Sequence, residues 1–306
     1  MSVRGSQHSS REEGAEAREQ ALVRKHISVM PQEALVLLDL KKGDVVVDAT
    51  YGQGGHSALI KKALPAGRQA PKVKLITIDA DPATGADIVA NFGDLDKVLG
   101  TQKINKVLFD LGWNMGQLGS GRGFSFLVDE PLDMSYGERP RSGFTAAEIL
   151  NTWQEKVIAD ALFGYGEERY ARRIARAVVE RRALQPFVST MELVETIKDA
   201  VPAGYRRGRL HPATKSFQAL RIAVNDELGA IEQGLSGAWH HLAPGGRLVV
   251  ITFHSIEDRK VKQQFAAWAK AGEGKLVVKK PLIASMAEVK ANPPSRSAKM
   301  RAIEKI

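Results

Sequence analysis

Val45, Val46 and Val47 form a β-branched run that stops at an acid, Asp48, and a turn carrying Gly52, Gly54 and Gly55 separates it from the helical pattern opened by Ala58, Leu59 and Ile60. A short apolar run of this kind predicts a buried strand. Glycine lacks a Cβ, so the chain can reverse sharply there and a ligand can come close to the backbone. Strand, tight turn and helix in that order form the opening unit of an α/β sheet whose ligand lies over the turn. The spacing departs from the dinucleotide fingerprint, because Ser57 occupies the third glycine position, and no phosphate-gripping lysine follows as in a P-loop. What remains is a cradle for a nucleoside without a pyrophosphate, of which S-adenosylmethionine is the commonest. The competing reading is a packing turn with no ligand.

The same pattern repeats. Apolar runs at 74–79 and 107–110 end in Asp79 and Asp110, with a short strand expected at 88–90 and an amphipathic helix over 31–40. Acids at successive strand ends predict that Asp48, Asp79 and Asp110 converge on one crevice, the alternative for each being a helix N-cap. From about 113 to 143 the chain is rich in Gly, Ser and Pro, and helical patterns then occupy 146–162 and 167–184. Strand character returns at 247–253 after the turn signal Ala243-Pro244-Gly245-Gly246, followed by a helix over 257–269 and a closing hairpin from 276–279 and 300–306. The predicted architecture is a doubly wound α/β domain made of 21–112 and 211–306. A mostly helical insertion at 113–210 interrupts it, and 1–20 form a polar tail.

A net charge of +9 favours a polyanionic partner. Within the insertion, Arg169, Arg172, Arg173 and Arg176 fall on one side of a helical pattern whose other side carries Tyr170, Ile174 and Val178. Arg206, Arg207, Arg209, His211 and Lys215 add a second basic cluster suited to phosphate contact. Cysteine is absent, and no apolar run is long enough to span a bilayer. The polar N-terminal stretch, with Glu12, Glu13, Glu16 and Glu19, has neither secretory nor transit character, which points to the cytoplasm. The seven histidines show no metal-ligand spacing with acids, so no metal is expected.

Four further motifs lie downstream of the turn, in order. They are Asp110-Leu111-Gly112 with Gln117; Arg122-Gly123-Phe124-Ser125-Phe126 with Pro131-Leu132-Asp133-Met134; the stretch from His211 through Ile222 with Asn225, Asp226 and Glu227; and Phe253-His254-Ser255-Ile256-Glu257-Asp258-Arg259. With the glycine turn, this set resembles the RsmH/MraW family over nearly the whole chain. The resemblance implies a class I (Rossmann-like) S-adenosylmethionine-dependent methyltransferase that modifies the N4 amine of a cytosine in the decoding region of small-subunit ribosomal RNA, with the RNA or the small subunit as partner. It places the cofactor on Gly52, Gly54, Gly55 and His56, with Asp79, Phe92, Asp110 and Gln117 completing the pocket. For His56, a residue merely fixed into the turn is the alternative. The chain departs from the family pattern at Ala49, at Trp113-Asn114-Met115-Gly116, at Gly119 and Glu130, and at Ser135-Tyr136-Gly137, mostly on the expected substrate side. An RNA-binding assembly factor with impaired catalysis, or an amino methyltransferase for another nucleic acid, are the alternatives those changes leave open.

The cytosine amine is a poor nucleophile because its lone pair is delocalised, so an acceptor on its N–H would raise its reactivity. Asp110 is the leading candidate for that acceptor, with Asp133 and His254 next. Phe124 and Phe126 are expected either to support a base splayed from its stack or to belong to the core of the insertion.

Overall fold

The computed structural model describes residues 27–63, 74–112 and 120–306. Eight strands, β1 (Val45–Asp48), β2 (Lys74–Asp79), β3 (Ile88–Val89), β4 (Ile104–Asp110), β5 (Leu242–Thr252), β6 (Gly274–Leu276), β7 (Leu282–Ile283) and β8 (Lys299–Lys305), form one sheet. Their order is β3-β2-β1-β4-β5-β8-β6, with β7 paired to β8. The strands from β3 to β5 run parallel, and β8 is antiparallel to β5. The chain winds one way from β1 to β2 and β3 and the other way through β4 and β5. That reversal opens a crevice at the carboxyl ends of β1 and β4.

Both faces of the sheet are covered, which explains why its strands read as continuous apolar runs. Because side chains alternate along a strand, Val46, Leu108, Val249 and Ile251 point to one face, while Val47, Val107, Phe109 and Val250 point to the other. The first face packs under helices α1 (Pro31–Leu38) and α2 (Gly55–Ala63), through Leu37, Leu38 and Ile60. The second packs under α3 (Leu95–Leu99) and two later helices, through Leu95, Ile231, Leu235, Val261 and Phe265.

The segment after β4 builds a separate helical core. It contains α4 (Ala146–Thr152), α5 (Glu155–Gly166), α6 (Ala171–Leu184), α7 (Thr190–Ala200), α8 (Ala203–Arg206) and α9 (Thr214–Asn225). The chain then returns to the sheet through α10 (Glu227–His241) and α11 (Ser255–Lys270), and α12 (Met286–Ala291) precedes β8. The insertion's apolar cluster runs from Phe124 to Val224, so α9, on the sheet side of the boundary drawn at 210, packs with the helices before it. The pattern expected as one helix over 146–162 is two helices. Trp153 and Gln154 are extended between them, and the guanidinium of Arg182 donates to the carbonyls of Leu150 and Trp153 at 2.7 Å each. The closing hairpin is more elaborate than expected. β6 pairs with β8 as foreseen, but β7 and α12 lie between them in the chain and β8 also zips onto β5.

Candidate functional site

The turn after β1 is held by its own polar groups. Asp48 is buried and accepts the hydroxyl of Ser57 at 2.6 Å, so the first strand end is tied to the first turn of α2. The amide of Gly52 donates to Asp79 Oδ2 at 2.7 Å, which fastens the turn to the end of β2. Gly54 has φ +75°, and a Cβ there would sit 2.7 Å from the hydroxyl of Tyr51. A Cβ on Gly55 would come within 2.0 Å of Ser28 Oγ. Gly54 is therefore required by its positive φ and by the Tyr51 ring, and a side chain at Gly55 would displace the Ser28 hydroxyl, before any ligand is considered.

Over this turn lies an open cleft of about 680 Å³, lined among others by Gly52, Asp79, Phe92, Asp110, Leu111 and Gly112. The structure thus brings four of the expected cofactor residues together. Asp48 is excluded from the lining: of the three acids expected to converge, the first is consumed by Ser57. Gly54, Gly55 and His56 also stand outside the lining, and Gln117 lies outside the described residues.

Burial raises the pKa of Asp79, against the pull of the Asp81 and Gly52 amides. Those amides take one position on each carboxylate oxygen, Asp81 N–H at 2.9 Å and Gly52 N–H at 2.7 Å, and with the Ala80 amide also bonded to the carboxylate one acceptor position is left for a ligand hydroxyl. Phe92 stands edge-on to Phe109, with ring centres 5.7 Å apart. Asp110 is fixed from two sides. Its amide donates to Thr50 Oγ1 at 2.6 Å, and its Oδ2 lies 3.5 Å from Nδ1 of His56. The other nitrogen of that imidazole, Nε2, faces the carbonyl of Val29 at 3.0 Å and must carry a proton to bond it. His56 is thereby anchored as a support beneath Asp110.

The far wall comes from Tyr136, Glu227 and Glu257, none of which the sequence reading placed in the site. Glu227 accepts the Tyr136 hydroxyl at 2.8 Å and is gripped by Arg221 through Nε at 2.7 Å and Nη2 at 3.0 Å. Burial pushes the Tyr136 phenol well above its ordinary value. Burial works against the Arg221 charge, but Glu227 and its neighbours outweigh that and hold the guanidinium charged. Asn225 adds a bond from the Tyr136 amide at 2.8 Å. The sequence signals for this wall were the motifs that hold Asn225, Glu227 and Glu257 and the departure from the family pattern at Ser135-Tyr136-Gly137.

Asp133 and His254 have local structural work. Asp133 Oδ1 accepts the amide of Ser135 at 3.0 Å and also its hydroxyl, shaping the bend at Met134, which has φ 61°. His254 caps α11, its Nδ1 accepting the Glu257 amide at 3.4 Å, and its Nε2 stands 2.8 Å from Glu257 Oε1. Both lie outside the cleft lining, although the partner of His254, Glu257, is part of it. Phe124 is buried in the insertion core against Tyr136, and Phe126 stacks on His211 with ring centres 4.7 Å apart. The core reading of both phenylalanines is the one the packing favours.

On the insertion's surface, Arg169, Arg172, Arg173 and Arg176 are exposed along α6 and its entry, opposite the buried Ile174 and Val178. The Arg169 guanidinium lies over the rings of Tyr170 and Tyr205, at 4.9 and 4.8 Å. Arg206, at the end of α8, with Arg207 and Arg209 just beyond it, extends the exposed basic area.

Residues 23–306 match the sequence model of the MraW methylase family. Among curated proteins, the ribosomal RNA small subunit methyltransferase H of Symbiobacterium thermophilum is 45% identical over 92% of this chain and 96% of its own length. The protein of that name from Heliobacterium modesticaldum is 44% identical, covering 93% of this chain and 100% of the relative. The Carboxydothermus hydrogenoformans counterpart is 43% identical, over 92% and 98% respectively.

Proposed function

The chain belongs to the MraW methylase family, and on that premise we propose that it transfers a methyl group from S-adenosylmethionine to the N4 amine of a cytosine in the decoding region of small-subunit ribosomal RNA. The observation that carries the reading is the cleft at the switch point, where Asp79 at the end of β2 and Asp110 at the end of β4 border one cavity above a glycine turn. The cavity fits the cofactor: Gly52 lines it at the turn, and Asp79 retains an acceptor position for a ribose hydroxyl. Phe92 offers a ring beside which adenine can pack. When bound, S-adenosylmethionine supplies an electrophilic methyl group on a sulfonium.

The protein's task is then to hold the nucleophile in line and to raise its reactivity. Asp110 accepts an N–H of the exocyclic amine and draws the nitrogen lone pair out of conjugation with the ring. With that methyl donor in place, the Asp110 carboxylate would stabilise the positive charge that develops on nitrogen and take up the proton that nitrogen loses. His56 positions Asp110 from behind. Tyr136 and Glu227, held by Arg221, form the opposite wall and fix where the base can enter. The exposed arginines of the insertion contact RNA phosphates, and the substrate is the RNA or the assembled small subunit in the cytoplasm. No helix among the described residues is long and apolar enough to cross a membrane.

Small subunits from cells lacking this activity, incubated with the protein and methyl-labelled S-adenosylmethionine, test the proposal. N4-methylcytidine in a decoding-region fragment, found by mass spectrometry after digestion, is the expected product. Replacing Asp110 with Ala should lower turnover at least a hundredfold with cofactor affinity changed much less. A loss below tenfold would remove Asp110 from the role. Cofactor binding with no methyl reaching RNA would instead favour a non-catalytic assembly factor.

A further inference from the structure

At the opposite end of the sheet from the cleft, three side chains meet that the methyl-transfer chemistry does not use. Asp96 lies on α3, while His240 and His241 are the last two residues of α10. Asp96 Oδ1 is 2.8 Å from Nδ1 of His240 and 3.1 Å from Nε2 of His241. One carboxylate oxygen therefore faces two imidazole nitrogens, and one ligating atom from each residue falls within 4.8 Å of the others.

The tautomer of His241 gives the cluster its meaning. Its Nδ1 is 2.9 Å from the carbonyl of Gln102 and must donate a proton there, because a carbonyl only accepts. In the neutral ring this leaves a lone pair on Nε2, pointing at a carboxylate that is also an acceptor. Two acceptors at 3.1 Å require something positive between them, either a second proton or a cation. A ring N–H given to a backbone carbonyl, with the opposite nitrogen turned to an acid, is the arrangement that orients metal-binding histidines. The His241 side chain is only 3% exposed, so its orientation is set by packing. Asp96 and His240 are 58% and 69% exposed, so an ion has a route in.

The fold also favours positive charge at this point, since the carboxyl end of the long helix α10 presents the negative end of its dipole. The two ammonium groups at this helix end are directed to backbone carbonyls, Lys103 to that of His240 at 3.4 Å and Lys305 to that of Trp239 at 2.6 Å. By contrast, the similar group of Glu227, His254 and Glu257 has its carboxylates committed to Arg221, Tyr136 and backbone amides.

We propose that Asp96, His240 and His241 bind a divalent transition-metal ion of the zinc type, clipping α3 to the junction between α10 and β5. Two imidazoles and one carboxylate are a donor set that zinc accepts, with water in the fourth position. Tetrahedral bonds of about 2.0–2.1 Å set donors roughly 3.3 Å apart, so the observed spacings close on an ion with small side-chain shifts. The ion is structural. It sits near the amino ends of β4 and β5, roughly 20 Å from Asp110 along a seven-residue strand. Histidine spacing in the sequence hides the site, because Asp96 lies 144 residues from His240.

The test uses the full chain stripped with chelator and titrated with zinc chloride in a calorimeter at pH 7.5, with thermal unfolding measured in parallel. One Zn²⁺ per chain and a raised Tm are expected. His240→Ala and Asp96→Asn change exposed side chains and leave the His241–Gln102 bond intact, so both should fold, and each should weaken binding at least tenfold. No zinc binding by the wild type at 100-fold excess (on the order of millimolar ion) would overturn the proposal. Equal binding by wild type and both variants would overturn it too, since the ion would then lie elsewhere.

Discussion

Asp48 shows what a single buried acid can do without touching a ligand. Burial raises its pKa above the ordinary 3.8, against the opposing pull of the Ser57 hydroxyl, the His56 ring and the Thr50 amide. A folded state that holds its proton more tightly than the unfolded chain is stabilised by that group below pH 3.8, and the contribution is lost as pH rises through the raised value. Asp48→Asn carries no such proton. Its amide can still donate to Ser57 Oγ while its oxygen accepts from Thr50, so the turn is preserved. The difference in unfolding free energy, variant minus wild type, should rise with pH above about 4 by up to about 1.4 kcal/mol per unit and then level off. Denaturant unfolding from pH 4 to 8 measures this, and a flat difference curve would show that Asp48 has the same proton affinity in both states. The residue scale also explains why this acid was misplaced by pattern alone. Asp48, Asp79 and Asp110 have the same setting in the sequence, and only the hydroxyl of Ser57, nine residues on, distinguishes the first.

Elements are joined by contacts that local pattern does not encode, and the link between α11 and β8 is the strongest such case. Asp258 receives Arg301 through Nε at 2.7 Å and Nη2 at 3.2 Å, and Lys299 at 3.2 Å. Burial alone would raise its pKa, but the Arg301 and Lys299 bonds outweigh it and hold the carboxyl below 3.8. For a depressed pKa the stabilisation is present above pH 3.8 and is lost as pH falls through the folded value. Asp258→Asn should therefore cost about 2–3 kcal/mol at pH 7. The gap should begin to narrow below about pH 4 and be smaller at pH 3 than at pH 7, as read by urea unfolding at the two pH values; an equal loss at both would assign the effect to packing. Strand β2 was legible to its last residue, because its apolar run stops at an acid, Asp79. β5 was not, since Ala243, Pro244, Gly245 and Gly246 carry turn chemistry yet lie within the strand, where the register against β4 slips between Ile104 and Lys106. The far wall of the cleft was legible only as motifs without roles: Tyr136, Arg221 and Glu227 lie far apart in the chain, and α9 and α10 bring them together.

At the scale of the whole molecule, charge and cofactor chemistry occupy different parts of the chain, and that separation can be tested. The cleft is built mainly at strand ends, whereas the exposed arginines of α6 and the stretch after α8 belong to the insertion. Arg172 and Arg176 have solvent-facing side chains on a helix whose buried face is carried by Ile174, Ala175 and Val178, so exchanging the two arginines for glutamate leaves the core intact. If these arginines neutralise RNA phosphates, removing either one should lower the slope of log affinity against log salt by about 0.7–0.9. The double variant should then bind small subunits at least tenfold more weakly at 0.1 M salt, with a slope shallower by about 1.5, while its affinity for S-adenosylmethionine stays that of the wild type. Filter binding across a salt series, beside a cofactor titration, reads both quantities. A weaker complex with an unchanged slope would mean that α6 shapes the insertion without touching the backbone of the RNA, and the phosphates would then be held by Arg206, Arg207 and Arg209. Loss of cofactor affinity in the same variant would contradict the separation itself, because Tyr136 and the Arg221–Glu227 pair would then be transmitting changes in the insertion to the cleft.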